Sequence, residues 1–129
     1  QTITAVAGSE TFSFTNTAGS GGSANTISGF SSANDSLNFT KTFLQSFSNA
    51  AGDSLINAFT QGPIQTNQFL SGAGVTAATN ANQLFIYNST DGKLRFDVDG
   101  NGTNAVTATI VATLDGAPTI NFTDISITA

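Results

Sequence analysis

Residues 84–114, LFIYNSTDGKLRFDVDGNGTNAVTATIVATL, decide how this chain folds. QLFIYN (83–88) and KLRFDV (93–98) flank STDG (89–92), and Asp-Gly between two apolar runs is a strong hairpin signal. In the second run Leu94, Phe96 and Val98 share one face, and Lys93, Arg95 and Asp97 share the other. After DGNGTN comes AVTATIVATL (105–114). There Val106, Ala108, Ile110, Ala112 and Leu114 alternate with Thr107, Thr109 and Thr113. This period of two predicts a three-stranded antiparallel meander, because a one-residue slip would turn every apolar side chain to the wrong face.

The same reading extends outward. DGAPT (115–119) turns the chain, and INFTDISI (120–127) supplies one or two closing strands. Toward the N-terminus, ETFSFT places Phe12 and Phe14 on one face. TISGF and DSLNF follow around the turn SSAN, with Ile27, Leu37 and Phe39 inward. AGSGGSAN (18–25) reads as a flexible connection. Phe47, Ala51, Leu55 and Phe59 recur every fourth residue, which predicts a short helix from about Ser48 or Asn49 to just before Gly62-Pro63. Residues 62–83 read mostly as loop, anchored by Phe69 and Leu70. The expectation is one all-β domain spanning 1–129, a β-sandwich or β-roll-like arrangement of antiparallel sheets with one short helix.

Composition narrows the function. Only 9% of the 129 residues are charged, against a usual ~25%. The net charge is −5 and the pI about 4.1. Lys41, Lys93 and Arg95 are the only cations, so no basic stripe exists to meet nucleic-acid phosphates. Cys and His are absent, which removes disulfides, thiol chemistry and the commonest general base. No apolar run approaches the ~20 residues that span a bilayer. QTITAVAGSE lacks the basic start and apolar core of a signal peptide, and with no initiator Met the chain reads as a fragment or processed product. Low charge with abundant Thr, Asn and Gly suggests an extracellular β protein.

Asp97, Asp99, Asn101 and Gly102 stand in the spacing D-x-D-x-N-G, the opening positions of an EF-hand-type calcium loop. Alternate oxygen-bearing side chains on a tight turn can converge on one hard cation, and glycines let backbone carbonyls join them. The twelfth position would be Ala108, and the flanks read as strands, so the stretch is not an EF-hand. A calcium loop in a β-hairpin and a Gly/Asn/Asp turn that needs no ion both remain open. Glu10 is a second acid at a strand start, a ligand or simply an exposed glutamate. Asp35 in SSANDSL is a turn cap or a ligand.

These residues carry a resemblance. From Leu84 onward the chain looks like the C-terminal module of RTX-type (hemolysin-type) calcium-binding proteins secreted by bacteria. The matching elements are Tyr87-Asn88, Asp91-Gly92, Phe96-Asp97, Asp99 to Gly102, Ala112 to Pro118, and Asp124 with Ile125 and Ile127. Upstream, GSETFSF and NTISGFSSANDSLNF resemble that family's acid-bearing strand starts. The resemblance implies a calcium-stabilised β-roll or β-sandwich-like fold; the candidate Ca2+ ligands are Asp97, Asp99 and Asn101 of the spaced loop first, with Glu10 and Asp35 as further candidates. It also implies export by type I secretion machinery that reads a C-terminal signal, here Asp124, Ile125 and Ile127. The family's glycine-rich nonapeptide repeats are absent, Glu10 stands where Asp is usual, and Gly29-Phe30 replaces Asp-Phe.

No catalytic constellation is visible: without His or Cys, Asp97 and Asp99 lie two apart on one strand end, which suits an ion better than acid/base work. The expected role is therefore a non-enzymatic, extracellular or cell-surface bacterial module that binds calcium and self-assembles into a homo-oligomer, filament or layer. The alternative is the calcium-dependent folding and secretion module of a larger exported protein.

Overall fold

The computed structural model describes residues 2–14, 25–45, 61–97 and 109–128. In chain order the elements are β1 (Thr2–Thr4), β2 (Thr11–Phe14), β3 (Thr26–Ser28), β4 (Ser36–Thr40), α1 (Lys41–Gln45), β5 (Gly62–Pro63), β6 (Phe69–Gly72), β7 (Phe85–Asn88), β8 (Lys93–Phe96), β9 (Thr109–Leu114) and β10 (Ile125–Thr128). Two sheets form, one ordered β1-β3-β9-β8-β7-β6 and the other β2-β4-β10-β5. Their inner faces share one apolar core that includes Ile27, Leu37, Phe39, Phe85, Leu94, Leu114 and Ile125. The ring of Phe39 meets Phe85 at 5.3 Å and stacks on Phe14 at 4.7 Å, which ties the two sheets together. The fold is all-β, and among the described residues no helix is long and apolar enough to cross a membrane.

The sheets are mixed, not antiparallel throughout. β1, β3 and β9 run parallel in the first sheet, and β2, β4 and β10 run parallel in the second. The chain therefore coils three times between the sheets. Rung one is β1 and β2, rung two is β3 and β4, and rung three is β9 and β10. Inward positions stack from rung to rung: Ile3 on Ile27 on Leu114, and Phe12 on Leu37 on Ile125. This is a β-roll in miniature, with β7 and β8 inserted before the third rung. Parallel pairing escaped the sequence reading because it joins residues as remote as Leu37 and Ile125, with no local turn to announce them.

The meander itself is present. β7 pairs antiparallel with β8, and β8 with β9. Gly92 closes the hairpin at φ 73°, where a Cβ would overlap the Leu114 carbonyl oxygen. One register expectation fails. The pairing shifts between Leu94 and Arg95, so Leu94 faces Ala112 while Arg95 faces Ile110. Val111 is the extra residue of this bulge, which turns Ile110 to the outer face beside Arg95 rather than into the core. The segment 62–83 is also more regular than expected, since Phe69–Gly72 forms a strand parallel to β7. The helix expected between Ser48 and Gly62 falls outside the described residues. The helix that is described, α1, directly follows β4 and buries Phe43 and Leu44.

Candidate functional site

Each rung turns from the first sheet to the second through a short loop that ends in an acid. These loops carry Glu10, Asp35 and Asp124. In the second, the Asp35 carboxylate accepts the Ser31 N–H at 2.8 Å, closing its own turn, and the Glu10 N–H at 3.1 Å, reaching back to rung one. In the third, the Asp124 carboxylate accepts the Asn121 N–H at 2.9 Å and the Ser32 hydroxyl of rung two at 2.5 Å. Asp35 and Asp124 thus each cap their own turn and grip the rung before it. Charge-assisted bonds of this type are shorter and stronger than neutral ones. The Asp35 carboxyl lies below its ordinary value. Burial acts against this, but the N–H groups of Ser31 and Glu10 and the Glu10 side chain outweigh it.

Glu10 occupies the corresponding place on rung one, in the loop that leads into β2, and grips no earlier strand among the described residues. Its side chain faces Asp35 instead. Burial, then the hydrogen bond and the charge of Asp35, raise its carboxyl above the usual range, and the Val6 backbone opposes this. Its Oε2 is buried with no hydrogen-bond partner. Two facing carboxyls with an orphaned oxygen need either a shared proton or a cation. Both groups are hard oxygen donors, though only two in number, and each Asp35 oxygen keeps a second lone pair beside the N–H it accepts.

Asp97 lies elsewhere. It is buried just past β8, and its N–H donates to Leu84 O at 2.7 Å, extending the ladder by one residue. Because β8 runs antiparallel to β9, Asp97 sits at the opposite end of the sheet from the three acid-bearing turns. The five expected ligands therefore divide. Glu10 and Asp35 come together, Asp97 stands apart from them, and Asp99 and Asn101 lie outside the described residues. Among the described residues, no three acidic side chains converge closely enough to hold a metal. No protein family, curated protein or solved structure matches this chain.

Ile125 and Ile127 of the expected export signal are core staves of β10, fully buried between β4 and β5, and Asp124 is the turn stitch just described. Asn88, which the sequence reading had only as part of the Tyr87-Asn88 resemblance, is a structural tie. It is buried, and its Oδ1 accepts the N–H groups of Gly74 at 3.0 Å and Thr90 at 2.9 Å. Its signal was an amide at the end of an otherwise apolar strand. A Ser four residues ahead of Asp35 likewise marked the capped turn.

Proposed function

We propose that this chain is a secreted, calcium-binding β-roll module of the RTX type with a structural, self-assembling role outside the cell. The observation that carries the reading is the stack of three parallel rungs with an acid at each turn, in which Glu10 and Asp35 face one another and Glu10 Oε2 has no partner. In this reading calcium replaces the shared proton between the two carboxyls and clamps rung one to rung two. A second ion belongs to the loop that begins at Asp97. At low calcium the carboxylates repel and the stack is loose, and at the millimolar calcium of an extracellular medium it closes. The three expected signal residues Asp124, Ile125 and Ile127 would serve an export system only before the rungs form, since the folded chain buries them.

The test is thermal unfolding in EGTA and then in calcium, with calorimetric titration. Calcium at about 100 times its dissociation constant should add about 2.7 kcal/mol for each site filled, or roughly 10 °C in Tm per site for a domain of this size. Glu10→Gln should remove one binding event and Asp99→Asn the other. A melting temperature indifferent to calcium removes the calcium reading.

A further inference from the structure

Asp-Gly stands at two turns among the described residues, Asp91-Gly92 between β7 and β8 and Asp115-Gly116 after β9. Both aspartates are exposed, and both glycines have positive φ, 73° and 81°. Such a pair can react with itself. A glycine has no Cβ to hold its nitrogen away from the preceding carboxyl, so the two can close a five-membered ring. The reaction needs a carboxyl free to swing, a nitrogen free of other bonds and room for the glycine to move. One turn lacks all three, and the other has them.

In the β7–β8 hairpin Gly92 is buried. Its N–H donates to Asn88 O at 2.9 Å, and Leu114 O occupies the place a Cβ would take. The Asp91 carboxylate is engaged too: one oxygen accepts the Lys93 N–H at 3.0 Å and the other faces the Lys93 ammonium at 4.0 Å. After β9 the same two residue types stand free. Gly116 is exposed, with nothing within 4 Å of the place a Cβ would take. Among the described residues neither its N–H nor the Asp115 carboxylate has a hydrogen-bond partner.

We propose that Asp115 is a site of spontaneous covalent modification, converting to isoaspartate through a succinimide, while the fold protects Asp91. The Gly116 nitrogen bonds to Asp115 Cγ, the Cγ–OH bond breaks, and the hydroxyl leaves with the nitrogen's proton as water. Solvent water then opens the ring. Addition at Cγ restores aspartate. Addition at the Asp115 backbone carbonyl carbon breaks its bond to the Gly116 nitrogen, leaves the carboxylate on Cα and runs the chain through Cβ and Cγ. Water is the only co-reactant, nothing is oxidised or reduced, and the net charge is unchanged. The product inserts one methylene into the turn. That turn lies between the Asp115 N–H bond to Ile27 O, which ties β9 to β3, and Pro118, whose carbonyl holds the Tyr87 hydroxyl. Neither calcium nor self-assembly is required.

The test is prolonged incubation of the 129-residue chain at neutral pH, folded and in urea, with isoaspartate located by electron-transfer fragmentation of its peptides. Asp99-Gly100 and Asn101-Gly102, outside the described residues, are read as separate fragment ions. In the folded chain Asp115 should gain isoaspartate at least about tenfold faster than Asp91, because reaction at Asp91 waits on local opening of the hairpin. In urea the two rates should converge, since each aspartate then precedes a glycine in an open chain. No isoaspartate at Asp115 in the folded chain overturns the proposal, and so does as much at Asp91 as at Asp115. A ratio that persists unchanged in urea also overturns it, because neighbouring sequence and not the fold would then set the difference.

Discussion

At the scale of single residues, two titrations report on the roll. Glu10 is raised from its usual 4.5, so its contribution to stability is complete below pH 4.5 and is lost as pH rises through its folded value. Asp35 is lowered from 3.8, so its contribution is present above pH 3.8 and lost as pH falls through its folded value. The pair contributes in full only between those limits. Glu10→Gln replaces the protonated carboxyl with an amide that donates at every pH. Without calcium, the variant should melt higher than the parent at pH 7 and together with it near pH 4. With calcium the order should reverse, because the amide gives up a charged ligand. A variant no more stable than the parent in EGTA at pH 7 would refute the facing-carboxyl geometry. Tyr87, the chain's one tyrosine, is fully buried and donates to Pro118 O at 2.5 Å. Burial, and then the nearby Asp91, push its phenol up to about 12. Its contribution is whole below the ordinary 10.0 and is lost as pH rises toward 12. With no tryptophan in the chain, phenolate absorbance reads this group directly. It should titrate near 12 in the folded chain and near 10 in urea, and a folded-state midpoint near 10 would mean an exposed ring.

At the scale of elements, what was legible followed the range of the interactions. The β7–β8–β9 meander could be read because Asp91-Gly92 and strict alternation act within a few residues. The parallel rungs could not, because nothing local binds Thr26 to Thr113. Their trace was a weak repeat: TIT and TIS open the first two rungs, and ETFSF, DSLNF and DISI carry an acid into each of the three parallel strands of the second sheet. The inserted meander separates the third copy from the others and hides the period. The bulge at Val111 was illegible for a related reason, since an extra residue breaks the alternation on which register is judged. Of the site, Asp35 as a cap was readable from its turn, whereas the contact between Glu10 and Asp35 depends on rung stacking that no spacing reveals. Phe39 is where the elements converge: it touches Phe14 and Phe43 within its own half of the sandwich and Phe85 across it. Phe39→Ala should cost about 3–5 kcal/mol, a large share of the roughly 5–15 kcal/mol of a typical domain. Urea unfolding measures this, and a cost under about 1 kcal/mol would show that the two sheets do not share this contact.

For the whole molecule, a stacked fold is stabilised mainly by what each rung meets on either side. Rung two is held between rungs one and three. Rung three has rung two on one side and, on the other, β8 in the first sheet and β5 in the second. Among the described residues rung one has rung two as its single neighbour, and its strand β1 is exposed along its length. Local opening should therefore begin there, with a free energy well below that of global unfolding. Amide hydrogen exchange of the monomer in EGTA should rank the strands accordingly. The Ile3 and Ala5 amides, bonded to β3, should exchange through opening of rung one alone, while amides of β4, β8 and β10 exchange only when the whole domain unfolds. The Thr4 amide, turned outward, should exchange fastest of the three in β1. In the proposed reading calcium between Glu10 and Asp35 would join rung one to rung two, so it should slow Ile3 and Ala5 more than it slows β10. Amides of β1 as protected as those of β10 without calcium would contradict the gradient, and with it the proposal that an ion ties rung one to rung two.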